Sequence, residues 1–370
     1  MARICFISLS AYGYFNENAP AGGGAQRQFH LLSTHLTDHY DVHFIVGDYG
    51  QPVIEHHEGV TLHRSYSPDS NASPKQRIDQ LIDLSRALHR ADSDVYIARC
   101  FPRKLAVLYP LLTLLRRPLI FHVAGDPFVE KPVSGMGSIR RPFYYQALKN
   151  VASVIAQTEY QAERLQQYWG ITAPIIPNGY PQASVVDTYD TREYFLWVGR
   201  LDKEQKRPHI FLNIATKYPN QNFVLVGPAE SDNEYTRSIR ARAESMENVT
   251  YTGSVNPDEI HSYYRKAIAL INTSAYEGFP NTFLESWRYG TPVVSLAIDT
   301  SRFLEKKTTL TGYADKDMSK LEDLIGRLAE SRRLRRRLGI TGLQTFTNKY
   351  QIETTVDMYC DVIDDIVDIR

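Results

Sequence analysis

Tyr276-Glu-Gly-Phe-Pro-Asn-Thr-Phe-Leu-Glu285 runs directly into Ser286-Trp-Arg-Tyr-Gly-Thr-Pro-Val-Val294, and the reading of this stretch decides the fold. The apolar run Ile268–Ile271 before it has the length and composition of a buried strand, and Pro292–Leu296 reads as the next one. Between them Gly278 and Pro280 shape a tight loop, and Asn281 is placed to cap a helix over Asn281–Tyr289. Strand, loop, helix and strand in so short a span make a βαβ unit, and hence a parallel sheet with covered faces. Glu277 then falls at the carboxyl end of a strand, and Glu285 lies a turn into the following helix. Backbone N–H groups around Phe279–Phe283 would face whatever lies there, which suits phosphate or sugar oxygens. The plain alternative is a capped helix with two solvated glutamates.

The same alternation extends in both directions. Phe195–Val198, Phe223–Val226, Val249–Tyr251 and Ala267–Ile271 read as strands, with helices over Arg207–Tyr218, Tyr235–Ser245 and Asp258–Lys266. An earlier series comprises the strands Ile4–Leu9, Val42–Val46, Val95–Ala98, Leu119–Val123 and Val151–Ala156. Helical spacing recurs there at Phe29, Leu32 and Leu36, and again at Ile78, Ile82 and Leu88. Pro174-Ile-Ile-Pro-Asn-Gly-Tyr-Pro181 is dense in Pro and Gly and reads as a linker. The expectation is an α/β chain of two Rossmann-like, doubly wound parallel-sheet domains, residues 1–185 and 186–351, facing each other across a cleft. A C-terminal helix at about 352–370 would return to the first domain. Such sheets bind ligands at the carboxyl ends of their strands.

Composition narrows the function. The 370 residues are 43% hydrophobic and 23% charged, as in an ordinary globular protein. Lys+Arg and Asp+Glu both count 42, and residues 1–185 hold 17 basic against 15 acidic, so no basic domain for nucleic acid exists. Cys5, Cys100 and Cys360 are odd in number and far apart, which excludes a disulfide framework and favours a reducing compartment. The longest apolar stretch, Leu105 to Leu115, has 11 residues with Pro110 inside, too short to span a bilayer. Met-Ala-Arg before Ile4–Leu9 is read as the lead into a first strand and not as a signal peptide. A cytoplasmic protein is expected.

Further candidates carry polar chemistry. Ala21-Gly-Gly-Gly-Ala25 precedes a helix starting near Gln26, and Gly22, Gly23 and Gly24 would let a phosphate approach the backbone. A flexible loop would look the same. Nine of the eleven histidines lie in residues 1–185, and His122 differs from the rest by ending a strand. Asp126 lies four residues on. Asp92-Ser-Asp94 has the D-x-D form used to hold a divalent metal, but it sits at the amino end of a strand and reads as a turn. The basic pairs Arg103-Lys104, Arg116-Arg117 and Arg140-Arg141, and the five arginines within Arg332–Arg337, read as solvated faces. Peripheral contact with an anionic membrane, at its inner face, is their functional alternative.

Glu277 and Glu285 have the spacing of the E-x(7)-E signature, and the chain resembles the GT-B retaining glycosyltransferases of family 4. Matching blocks occur in the family's order: the Gly-rich 22–25, Ala156-Gln-Thr-Glu-Tyr160, Ile176-Pro-Asn-Gly-Tyr180, Val198-Gly-Arg-Leu201, Phe223–Gly227, Tyr251-Thr-Gly-Ser-Val255 and Gly290-Thr-Pro-Val-Val294. The resemblance implies that Glu285 binds the ribose hydroxyls of a nucleotide-sugar donor, and that Glu277 faces the donor sugar. Gly278, Phe279, Pro280, Asn281 and Thr282 would lie beside sugar and phosphates, and Gly253, Ser254 and Val255 would meet the base. It implies Arg200 and a lysine of the same loop as the cations on the departing diphosphate; Lys206 fits best, and Lys203 competes. It places a histidine near His122 as a contact to the donor sugar, with Asp126 as the rival for that role, and closes the 22–24 loop over donor and acceptor. No metal and no cofactor are implied, since the nucleotide diphosphate sugar is a substrate. The implied activity is metal-independent, retaining transfer of a sugar to a hydroxyl of a glycan or lipid-linked acceptor, the first domain binding acceptor and the second donor. The alternatives are a sugar-nucleotide epimerase or phosphorylase on the same fold, or an inactive binding protein.

Overall fold

The computed structural model describes residues 1–20, 22–68, 73–99, 102–130, 141–183, 191–229, 232–256, 259–305 and 311–368. Ala21, Cys100, Arg140 and Asp258, each singled out in the sequence, lie outside the described residues, as does the side chain of Arg103. The chain forms two compact units, Met1–Gly179 with Ile352–Arg370, and Tyr180–Gln351. The division falls at Gly179/Tyr180, where the sequence reading places it after residue 185.

The first unit is built on seven strands: β1 (Arg3–Ile7), β2 (Asp41–Val46), β3 (Ile54–His57), β4 (Val60–Arg64), β5 (Val95–Ala98), β6 (Leu119–His122) and β7 (Ser153–Ile155). Their order is β3-β4-β2-β1-β5-β6-β7, and every pairing is parallel except β3 with β4. The central strands are apolar on both faces because both faces are covered. Helices α1 (Gly24–His35), α2 (Pro74–Ala91), α3 (Pro102–Leu114), α4 (Arg141–Asn150) and α5 (Glu159–Trp169) connect them. Cys5, Ile7, Tyr96 and Phe121 pack with Leu88, Leu105 and Leu148 on one face. Ile4, Phe6, Ile97 and Ile120 pack with Phe29 and Leu32 on the other.

Two expectations need correction here. The hairpin β3–β4 has no counterpart in the expected strand series: Ile54-Glu-His-His57 is a short edge strand, with Ile54 itself 47% exposed and little apolar signal. Its turn, Glu58-Gly59, has both residues at positive φ (50° and 79°), as a two-residue hairpin connection requires. On α2, Ile78 and Ile82 are exposed at 61% and 43%, while Leu84, Ala87, Leu88 and Ala91 form the buried face.

The second unit is an all-parallel sheet of β8 (Tyr194–Val198), β9 (Asn222–Val226), β10 (Val249–Gly253), β11 (Ala267–Asn272) and β12 (Val293–Ser295), ordered β10-β9-β8-β11-β12. The order reverses between β8 and β11, so loops leaving those two strands at their carboxyl ends diverge to opposite sides of the sheet. Helices α6 (Pro208–Lys217), α7 (Glu234–Glu244), α8 (Ile260–Lys266), α9 (Asn281–Trp287), α10 (Met318–Glu330) and α11 (Arg332–Lys349) complete it. Helix α12 (Ile352–Asp368) belongs to the first unit, where Ile352, Val356, Tyr359 and Ile363 are buried beside Phe29 and Ile120. Among the described residues no helix is long and apolar enough to cross a membrane. Cys5 and Cys360 are free thiols.

Candidate active site

The loop from β8 to α6 and the loop from β11 to α9 are laced together by short polar contacts. Thr273 Oγ1 donates to the Lys206 carbonyl at 2.6 Å, Arg207 Nε to the Thr273 carbonyl at 2.7 Å, and the Ala275 N–H to the Gln205 carbonyl at 2.7 Å. Trp197, on β8, anchors Thr273 through its indole N–H at 2.9 Å. This lacing carries Lys206 Nζ to 2.5 Å from Glu277 Oε1. The two side chains are only 19% and 9% exposed, so the pair is largely shielded from solvent and its charges are weakly screened. Of the two competing lysines, the geometry separates them: Lys203 is exposed, its ammonium 6.0 Å from the ring of Tyr235 on α7. Arg200 reaches the Gln205 side chain at 3.2 Å, within the same loop.

Glycines bring the neighbouring strand ends close. Gly199 N–H donates to the Val226 carbonyl at 3.0 Å, and Gly227 N–H to the Gly253 carbonyl at 2.8 Å. Gly227 has φ +143°, and a Cβ there would lie 1.8 Å from the Gly199 carbonyl oxygen, so no side chain fits. Ser254, next to Gly253, is exposed, and Val255 is half-buried.

Glu285 lies on α9 and is 6% exposed; the Tyr264 hydroxyl donates to its Oε2 at 2.9 Å. Two details of the helix start differ from expectation. Asn281 is the first helical residue and not the cap, which is Pro280 with no side-chain bond. The Phe283 N–H closes onto the Pro280 carbonyl at 2.9 Å, so it is spent inside the turn. The Phe279 ring is buried against Phe303 and Tyr350, at centroid distances of 5.3 and 5.6 Å, which leaves its backbone as the part able to meet a ligand. Gly278, Asn281 and Thr282 are half-buried along the same loop and turn.

In the first unit Gly23 caps α1, which starts at Gly24, two residues before the expected Gln26. The Tyr14 hydroxyl holds the Gly22 carbonyl at 2.7 Å. His122 does not lie at an open edge: it is 3% exposed, and its Nδ1 meets the Tyr359 hydroxyl of α12 at 2.5 Å. Burial, with the nearby Arg99 guanidinium, holds its pKa well below the ordinary value, so the ring is neutral. Arg99 in turn bonds Asn178 Oδ1 at 2.9 Å and Gln157 Oε1 at 2.6 Å. Asp126 opens a short 3₁₀ turn, is half-buried, and accepts from Gln161 Nε2 at 2.9 Å.

Asp92 and Asp94 are structural. Asp92 ends α2 in the left-handed conformation, 2.5 Å from Arg117 Nη2, and Asp94 accepts the Arg3 N–H at 2.9 Å. Among the described residues no group of three or more His, Cys, Asp or Glu is arranged to hold a metal.

The sequence pattern of the family described as Glycosyl transferases group 1 matches residues 182–345, and that of Glycosyltransferase Family 4 matches residues 22–183. Alpha-monoglucosyldiacylglycerol synthase from Streptococcus pneumoniae is 24% identical over 206 residues, which are 49% of this chain and 46% of that protein. The chain spans less than half the length of the curated relatives it matches. Among solved structures, sucrose-phosphate synthase from Thermosynechococcus elongatus superposes with a TM-score of 0.79 at 18% identity, over 100% of both chains. HepE from Anabaena, in complex with UDP and glucose, gives 0.76 at 15% identity, over 98% of this chain and 100% of its own. At such identities the likeness is one of fold.

Proposed function

Because the chain belongs to the GT-B group 1 glycosyltransferases, we propose that it transfers a sugar from a nucleoside diphosphate sugar to a hydroxyl of a glycan or lipid-linked acceptor, with retention and without a metal. One observation carries this reading: the Lys206–Glu277 pair and the buried Glu285, at the loops leaving the β8/β11 switch point. A cation beside a carboxylate is what departure of a diphosphate from a sugar needs. Lys206 and Arg200 take up charge on the leaving phosphate, and Glu277 stabilises the electron-poor anomeric carbon. The C1–O bond to phosphate breaks as the acceptor oxygen bonds to C1 on the same face. The acceptor proton passes to the departing phosphate oxygen, so no separate general base is required. Glu285 accepts the ribose hydroxyls, with Gly253, Ser254 and Val255 near the base.

The first unit is assigned the acceptor. Of the rivals for sugar contact, Asp126 is the more accessible, and enclosed His122 acts by ordering the strand ends around it. A lipid-linked acceptor is supported by the pneumococcal relative, named for a glucosyl diacylglycerol. Peripheral contact with anionic lipid through Lys104, Arg116 and Arg141 belongs to the same reading.

UDP is the first donor nucleotide to try, since it occupies HepE. A thermal-shift panel of UDP, GDP, ADP and TDP in EDTA tests the binding part: one should raise the melting temperature. No shift with any of them, or a shift that needs added Mn²⁺, overturns the assignment. For a product formed from an α-linked donor, a β anomeric coupling in proton NMR overturns retention.

A further inference from the structure

We infer that Tyr264 is the positioning residue of the ribose subsite, its hydroxyl fixing the carboxylate plane of Glu285 so that a ribose diol is recognised. The inference rests on the ribose role proposed for Glu285. Tyr264 is fully buried near the end of α8, and its O–H donates to Glu285 Oε2 at 2.9 Å. The last torsion of a glutamate side chain is broad, and a hydroxyl fixed at one oxygen narrows it.

Tyr264 is itself held from behind by buried polar groups. The Thr291 hydroxyl, with Thr291 0% exposed, donates to the Tyr264 carbonyl at 2.6 Å and accepts from Arg192 Nη1 at 2.5 Å. The same guanidinium donates to the Ala267 carbonyl at 2.7 Å and to the Tyr289 and Gly290 carbonyls at 3.1 and 3.2 Å. Arg192 therefore ties the start of β11 to the turn after α9, and Thr291 ties that turn to the end of α8. The position of the Tyr264 hydroxyl relative to α9 is set by this buried chain of bonds and not by packing alone. Arg192, Thr291 and Tyr264 act behind the carboxylate and need not touch the nucleotide.

Calorimetry on the full chain with UDP and with 2′,3′-dideoxy-UDP tests it, or the corresponding pair for whichever nucleotide leads the thermal-shift panel. The parent protein should bind the ribonucleotide at least ~10-fold more tightly. Tyr264→Phe should shrink that gap by ~3- to 30-fold, weakening UDP while leaving the dideoxy compound within about twofold. Equal weakening of both ligands, or an unchanged gap, shows a purely structural tyrosine and overturns the inference. A parent protein with no gap removes Glu285 from the ribose, and the failure then lies with the proposed function. If Tyr264→Phe does not fold, Thr291 decides: Thr291→Val should narrow the gap in the same ribose-selective way and Thr291→Ser should restore it. The same result for both substitutions overturns the inference.

Discussion

The loops leaving β8 and β11 and the strand ends of β5 and β6 gather polar side chains in opposite ways. In the second unit, Lys206 and Glu277 stand on loops whose shape is fixed by main-chain contacts, and both keep some exposure. In the first unit, His122 and Arg99 are enclosed, bonded to Tyr359, Asn178 and Gln157. Exchanging Lys206 leaves Glu277 without its cation but keeps the main-chain lacing of the loop, and the remaining exposure lets water reach the carboxylate. Exchanging a fully enclosed ring leaves its partner unsatisfied with no such access. Substitutions in the two regions should therefore separate into effects on rate and effects on stability.

The largest effect tests the second unit. Lys206→Ala should lower turnover ~10²-fold or more, because a fixed cation on the leaving phosphate is lost. Lys203→Ala, at an exposed position with the ammonium 6.0 Å from the Tyr235 ring, should stay within about threefold. Glu277→Gln should cost turnover at least ~10-fold yet hold or tighten UDP, since Lys206 then no longer shares its charge with a carboxylate. Steady-state kinetics and calorimetry check all three. Equal losses at Lys203 and Lys206 would show that the loop lacing does not select the cation.

A smaller effect tests the first unit. His122→Ala should destabilise the fold by about 1–3 kcal/mol in urea titration, by leaving the Tyr359 hydroxyl buried without its partner. Turnover of the folded variant should fall far less than for Lys206→Ala. A fully stable His122→Ala protein with turnover reduced ~10²-fold would return His122 to the reacting centre.

Why one region was legible and the other was not follows from distance along the chain. Glu277 and Glu285 are eight residues apart on a loop and a helix turn, so sequence spacing alone places them at one strand end. The strand series was equally readable, because buried parallel strands are short uninterrupted apolar runs. The resemblance already favours Lys206 over Lys203, but the bracing that distinguishes their surroundings comes from Thr273 and Ala275, about seventy positions downstream. Tyr264, Thr291 and Arg192 left no local signal, since each bond joins segments that only the fold brings together. His122 misled for a related reason. A strand-terminal polar residue looks alike whether the chain beyond it opens outward or a distant helix covers it, and here α12 supplies the cover. On α2, Ile78 and Ile82 share a helical spacing with Leu88, yet the helix start extends past the surface it packs on.

The smallest effect concerns acid, and it sharpens the contrast because nine of the eleven histidines lie in residues 1–185. His43 Nδ1 and His63 Nε2 are 2.8 Å apart on adjacent strands β2 and β4, with both residues buried. Burial, the facing His43 and nearby Arg90 push His63 down to about 4. Burial also lowers His43, although Asp41 at 3.3 Å opposes the shift. An unfolded chain takes up these protons at the ordinary value near ~6.5. The unfolded state therefore binds more protons as pH falls through ~6.5, and stability falls with it until the folded pKa is reached. The expected loss between pH 7 and 5.5 is about 1 kcal/mol for one such ring. Hydrogen exchange, corrected for intrinsic rates, should show protection lost in β2, β3 and β4 at pH 5.5 while β8 and β11 keep theirs. Equal loss in both sheets would assign the acid sensitivity to net charge, and a His63 NMR titration near ~6.5 would remove the buried pair as its cause.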